Sequence, residues 1–349
     1  MQPLNKPNSL KRVAMATMIG TAIEYFDNYI YTMAAVLIFN HQFFHAADPL
    51  SGQIAALSTL ALTFIARPLG AILFGHFGDR FGRKNTFVIS LLVMGVSTMV
   101  IGLLPTYDSI GIWATLLLCL CRIGQGIGLG GEWGGAALVA IENAPEGKRG
   151  WYGTFPQLGA PLGLLLANGA FLLITDILGS AAMTDWAWRI PFLSSSILVV
   201  IGLYVRLKLA EAPIFVTALD KPQPKTLPMV EVIITHFKPF FLGMLICIAG
   251  YVLFYIIIAF SQIYAKSAPS QSEAGYAMGL GFSPQIFTAL LMYSAVSLAI
   301  SITISGKCID KIGRRIWLIW TTVAVAIFGL ALPYFLENGT TVSLFWFLI

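Results

Sequence analysis

The chain has 349 residues, of which 57 % are apolar and 11 % charged. Soluble domains carry about 25 % charged residues, so an apolar excess of this size must face lipid as well as a core. The net charge of +5 does not gather into a basic stripe interleaved with aromatics, so no nucleic-acid partner is expected.

The first apolar stretch covers 13–39. It follows Lys11-Arg12 and contains Glu24 and Asp27. It is too long for the apolar region of a signal peptide and lacks a small-residue cleavage site, so it reads as a retained helix. A spanning helix needs about 20 mostly apolar residues, and eight further stretches qualify: 54–75, 86–104, 112–141, 151–175, 187–209, 239–264, 286–305 and 316–335. A tenth run opens at Thr341 and stops eight residues later at Ile349, long enough to climb only about 12 Å at 1.5 Å per residue. The expected fold is therefore all-α and polytopic, with nine full transmembrane helices and a stub of the tenth. The hydrophilic stretch 210–238, with Pro213, Pro222, Pro224 and Pro228, has the composition of a linker. It divides an N-terminal six-helix bundle, 1–209, from an incomplete C-terminal bundle, 239–349.

Orientation follows from Lys and Arg. Of the 21, 17 fall in segments that nine spans would leave on one side, Arg206 and Lys208 among them, and only Lys266 falls on the other. That bias places the N-terminus in the cytoplasm. His41 and His45 share a helical face without a third ligand nearby. Cys119, Cys121, Cys247 and Cys308 have neither CxxC nor disulfide-framework spacing. No metal site and no cofactor are expected.

Two loops repeat one pattern, G-x-x-x-D-[RK]-x-G-R-[RK]. The first holds Gly75, Asp79, Arg80, Gly82 and Arg83. The second holds Gly306, Asp310, Gly313 and Arg314. A loop that was merely positive would need neither the matched glycines nor the matched aspartates, so the repeat points to duplicated halves, a feature of secondary transporters. The glycines permit tight turns, and the aspartates can pair with basic groups at a neighbouring helix end.

The doubled loop resembles the signature of the major facilitator superfamily. Gly20-Thr21-Ala22-Ile23-Glu24-Tyr25-Phe26-Asp27, Ala66-Arg67-Pro68-Leu69-Gly70, Arg122-Ile123-Gly124-Gln125-Gly126, Gly130-Gly131-Glu132-Trp133-Gly134-Gly135 and Trp188-Arg189-Ile190-Pro191-Phe192 look like its metabolite:proton symporter branch. The resemblance implies two six-helix bundles around a central cavity and alternating access in a bacterial inner membrane. It also implies a small carried solute: dicarboxylates, oxoacids, citrate, shikimate or betaine-like osmolytes. A full member has twelve spans, so the chain is expected to be C-terminally truncated. The alternative to a symporter is a non-transporting remnant of one. A channel lacks any filter-like ring, and an enzyme lacks a nucleophile–base or metal set.

Ionisable groups at membrane depth cost about 2.5–3.5 kcal/mol each on insertion scales and mark functional positions. Glu24 and Asp27 stand three apart on one helical face. Two carboxylates sharing a low-dielectric site suit reversible proton binding, so both are candidates for proton coupling, against a structural ion pair with Arg67 or Arg122. Glu132 is a third candidate, or else a gate or internal ion pair. Arg67 and Arg122 match a carboxylate solute bidentately or relay charge with Glu132, and Gln125, Tyr251 and Tyr255 are further candidates to line the solute site, the two tyrosines against plain aromatic packing. Gly126, Gly130 and Gly134, with Gly159 and Gly163, have the spacing of close helix packing. Trp186, Trp188 and Arg189 have the composition of an interfacial belt with a snorkelling arginine. Partners are expected to be a small organic solute, protons and the lipid bilayer, with the oligomeric state open.

Overall fold

A computed structural model describes residues 10–44, 49–81, 83–207, 234–256 and 284–337. The long helices among them are α1 (Leu10–Ala34, prolonged by a π-turn to Phe39), α2 (Pro49–Phe81), α3 (Arg83–Leu103), α4 (Ile112–Glu142), α5 (Arg149–Ala182), α6 (Arg189–Leu207), α7 (Phe237–Tyr255), α8 (Pro284–Ile312) and α9 (Arg314–Glu337). Each coincides with one predicted span. The tenth run and most of the predicted linker lie outside the described residues.

Eight of these helices, α2 to α9, are long and apolar enough to cross a membrane. α1 is the exception, because it carries Lys11, Arg12, Glu24 and Asp27. Packing accounts for the tolerance. Most of α1 is buried, including Glu24 and Asp27, against α4, α5 and α6. A helix surrounded by other helices need not match lipid.

The chain divides into two compact units, Met1–Gln223 and Pro224–Ile349. In the first, α1 packs on α5, α2 on α4, and α3 on both α4 and α6, with α6 also against α1. This pattern maps onto itself when α1–α3 are exchanged with α4–α6, as an inverted three-helix repeat within a bundle requires.

Glycines set the closest approaches. An added Cβ at Gly163 on α5 would lie 2.7 Å from the Phe26 amide nitrogen of α1, and one at Gly130 on α4 would lie 2.7 Å from the Ala71 nitrogen of α2. Backbones can come this near only where no side chain intervenes. The predicted small-residue stripes thus pack α1 on α5 and α2 on α4. In the second unit, α8 and α9 pack together.

Among the described residues the repeated motif is helical rather than a loop. α2 runs helically through the first copy to Phe81 and α3 opens at Arg83; α8 runs through the second to Ile312 and α9 opens at Arg314. Gly313, the second glycine of the later copy, falls at a one-residue break. Gly313 has φ +93°. Its N–H donates to the Ile309 carbonyl (3.1 Å) and its own carbonyl accepts from Trp317 (3.2 Å). It closes one helix with a left-handed cap and opens the next, so a motif read as a loop is a helix end followed at once by a helix start.

The expected interfacial belt is also corrected. Trp186 is exposed, but Trp188 is fully buried, in edge contact with Phe39, Phe43 and Phe192. Arg189 does not snorkel. It donates to the carbonyls of Gly102 (3.0 Å) and Leu104 (2.6 Å) at the end of α3, where unsatisfied carbonyls favour a cation.

Candidate functional site

Asp27 lies near the middle of α1, 2 % exposed. A buried carboxylate is tolerable only with donors to its oxygens, and two helices supply them. The Thr98 hydroxyl on α3 donates to Oδ2 (2.7 Å) and the Ser195 hydroxyl on α6 donates to Oδ1 (2.6 Å). Both hydroxyl residues are fully buried.

Thr98 is also an acceptor. The Gln125 side-chain amide on α4 donates to its Oγ1 (2.7 Å), and Arg122 one turn earlier donates from Nη1 to the Gln125 Oε1 (2.5 Å). A continuous chain, Arg122–Gln125–Thr98–Asp27–Ser195, thus joins a buried guanidinium to a buried carboxylate across four helices. The Arg122 guanidinium lies 3.7 Å from the centre of the Tyr31 ring, and the Tyr31 hydroxyl meets Thr59 Oγ1 at 2.5 Å. Cation–π contact and a hydrogen-bonded phenol fix the arginine's orientation. Glu24, Asp27, Asn28, Thr63, Arg122 and Gln125 all border one cavity of about 10 Å³, room for about one water.

A second cluster lies further along α4. Glu132 is fully buried and forms an ion pair with Arg206 of α6. Arg206 Nη1 also donates to the Phe87 carbonyl (2.7 Å). Gly20 of α1 makes the space: a Cβ there would lie 2.7 Å from Arg206 Nη2 and 3.2 Å from Glu132 Oε1. Glu24 stands between the clusters, in the electrostatic field of Glu132, Arg67, Arg206 and Asp27. One oxygen of Glu24 and one of Glu132 are buried without a hydrogen bond.

Of the predicted site residues, Glu24, Asp27, Arg122, Gln125 and Glu132 come together in the first unit. Arg67 is half-buried on α2, its guanidinium 4.7 Å from the Phe64 ring, and reaches the group through the field at Glu24. Tyr251 is an exposed residue of α7 in the second unit, and Tyr255 ends that helix. Gly75, Asp79 and Arg80 fall in the last turns of α2, and Arg83 starts α3. Asp310 falls in the last turn of α8 and Arg314 starts α9. Gly82 lies outside the described residues.

Thr98, Ser195 and Arg206 escaped the sequence reading. Ser and Thr inside apolar helices usually bond back to their own helix, as Thr17 does with Val13 (3.1 Å), so nothing in the sequence marks Thr98 and Ser195 as reaching Asp27 on another helix. Its place at the end of a span puts Arg206 among the expected cytoplasmic charges; the structure buries it against Glu132. The available signal was the surplus of carboxylates, Glu24, Asp27 and Glu132, over the mid-span arginines Arg67 and Arg122.

These features define a major facilitator fold. The solved proton:xylose symporter XylE of E. coli superposes with a TM-score of 0.71 at 16 % identity, covering 97 % of this chain and 78 % of that one. Residues 13–226 match the sugar (and other) transporter family, and the chain belongs to that family of the major facilitator superfamily. A putative metabolite transport protein of Haemophilus influenzae is 86 % identical over 99 % of this chain and 78 % of its own length. The inner membrane metabolite transport protein YhjE of Escherichia coli is 46 % identical over 98 % and 76 %. The E. coli shikimate transporter is 32 % identical over 96 % and 74 %. The chain is thus a multi-pass membrane transporter and not an enzyme.

Proposed function

We propose that the chain is a proton-coupled symporter of a small organic anion or zwitterion, working by alternating access in a bacterial inner membrane with its N-terminus in the cytoplasm. One observation carries the reading: a carboxylate buried in mid-helix, Asp27, is joined by hydrogen bonds to a buried guanidinium, Arg122. Asp27 is the coupling group, with Glu24 and Glu132 completing the acidic set. Arg122 takes the carboxylate of the solute, and Arg67 supplements it. Tyr251 and Tyr255, in the incomplete C-terminal bundle 239–349, are further solute-lining residues, and the linker 210–238 joins that bundle to the six-helix bundle 1–209. The paired motifs at Gly75–Arg83 and Gly306–Arg314 act in gating, and lipid and protons are the other partners.

The solute class rests on the chemistry of a guanidinium, which matches a planar carboxylate with two parallel hydrogen bonds. A relative named for shikimate agrees with that chemistry. Proteoliposome uptake with shikimate, betaine and a set of dicarboxylates, with and without an imposed proton gradient, tests the reading. Accumulation driven by an inward proton gradient is expected for at least one of them. Uptake indifferent to the gradient contradicts symport.

A further inference from the structure

Gln125 and Thr98 stand between Arg122 and Asp27 in the hydrogen-bonded chain. Gln125 has its carbonyl oxygen taken by Arg122 and its amide N–H by Thr98. The arginine has no acceptor, so it fixes which end of the amide faces Thr98. Thr98 Oγ1, accepting from that amide through one lone pair, has one proton to donate, and two acceptors are in reach: Asp27 Oδ2 at 2.7 Å and the Met94 carbonyl at 3.1 Å. A hydroxyl has one proton and two lone pairs, so it serves one acceptor at a time.

We propose that Gln125 and Thr98 are positioning residues that carry the state of Arg122 to the Asp27 carboxylate. The proposal rests on the symport reading above, with solute at Arg122 and the proton at Asp27. With Arg122 on Gln125, Thr98 and Ser195 both donate to an ionised Asp27. When a proton adds to Asp27 Oδ2, the Thr98 hydrogen turns to the Met94 carbonyl, and Thr98 Oγ1 accepts the new Asp27 O–H while keeping the amide bond from Gln125. No covalent bond other than the new O–H forms, and the proton comes from solution.

A solute carboxylate that draws Arg122 away releases the Gln125 carbonyl. The amide is then free to turn its oxygen to Thr98, which donates to it and leaves Asp27 Oδ2 without a donor. Solute at Arg122 and a proton on Asp27 therefore favour each other, the sign of coupling a symporter needs. The charged groups facing Asp27 are Glu24 from its own helix and Arg122 and Glu132 from α4. Thr98 of α3 and Ser195 of α6 supply its hydroxyl donors.

Infrared difference spectra of the full chain in lipid, acid minus alkaline, test the relay without a solute. The carbonyl stretch of protonated Asp27 is the band lost in Asp27→Asn. Its frequency reports the hydrogen bonds around it. Thr98→Val is expected to shift the band, Thr98→Ser to leave it in place, and Gln125→Met to shift it although Gln125 does not bond Asp27. A band unmoved by Gln125→Met overturns the relay and leaves the symport reading standing. If Asp27→Asn removes no carboxyl band, Asp27 takes no proton and both fall.

Discussion

The Arg206 guanidinium meets the Glu132 carboxylate inside the helical unit, and Gly20 on a third helix leaves the space they occupy. Three helices, α1, α4 and α6, are thus keyed together at one point. The same pair removes from solvent an arginine that ends its span and a glutamate in a glycine-rich stretch.

Breaking such a pair on one side leaves a buried charge. Arg206→Met is expected to cost about 3–5 kcal/mol of stability, whereas Arg206→Met with Glu132→Leu costs far less than the sum of the single changes. Thermal unfolding of the four proteins in detergent measures this cycle. Additive losses would show that the two side chains do not act as a pair.

Gly163 and Gly169 lie on one helix, yet only the first faces a neighbouring backbone; a Cβ at Gly169 has nothing within 4 Å. Gly163→Ala is expected to destabilise by about 1–3 kcal/mol through overpacking against α1. Gly169→Ala is expected to be neutral or to stabilise by up to about 1 kcal/mol. Comparable effects in the unfolding curves would argue against the close α1–α5 contact.

The positions of the nine described long helices and the small-residue packing were legible because each depends on short-range pattern: apolar length in one case, four-residue spacing in the other. The doubled motif was legible as a repeat but not as helix, because glycine and charge suggest a loop until Gly313 is seen to cap one helix while opening the next. Glu24, Asp27, Arg122, Gln125 and Glu132 stood out because charge and amide are rare at membrane depth. Their partners did not. Thr98 and Ser195 are ordinary in apolar helices, and only the packing of α3 and α6 on α1 turns them towards Asp27. Trp188 and Arg189 misled for a related reason. An aromatic beside an arginine suits an interface, and only the nearby end of α3 makes that arginine a cap.

The Gly313 cap gives a local test. Its positive φ costs a residue with a Cβ about 1–2 kcal/mol, so Gly313→Ala is expected to lower the unfolding temperature and speed amide exchange where α8 meets α9. Gly313→Asn is expected to do less, since asparagine tolerates this conformation better. Equal exchange in all three proteins would contradict the cap.

Arg189 caps α3 from α6 while half-buried. Arg189→Met removes both bonds to the terminal carbonyls and is expected to cost about 1.5 kcal/mol, the low end for a bond from a charged donor because the arginine is only half-buried. Hydrogen exchange at the last turn of α3 reports it, and unchanged protection there would exclude the capping role.

Asp27 is the coupling group of the proposed symport. Its most direct test compares wild type with Asp27→Asn in proteoliposomes, using a solute that the wild type accumulates and measuring both gradient-driven accumulation and exchange without a gradient. Loss of accumulation with exchange retained is the predicted result. Accumulation by the variant at the wild-type level, under the same proton gradient, contradicts it.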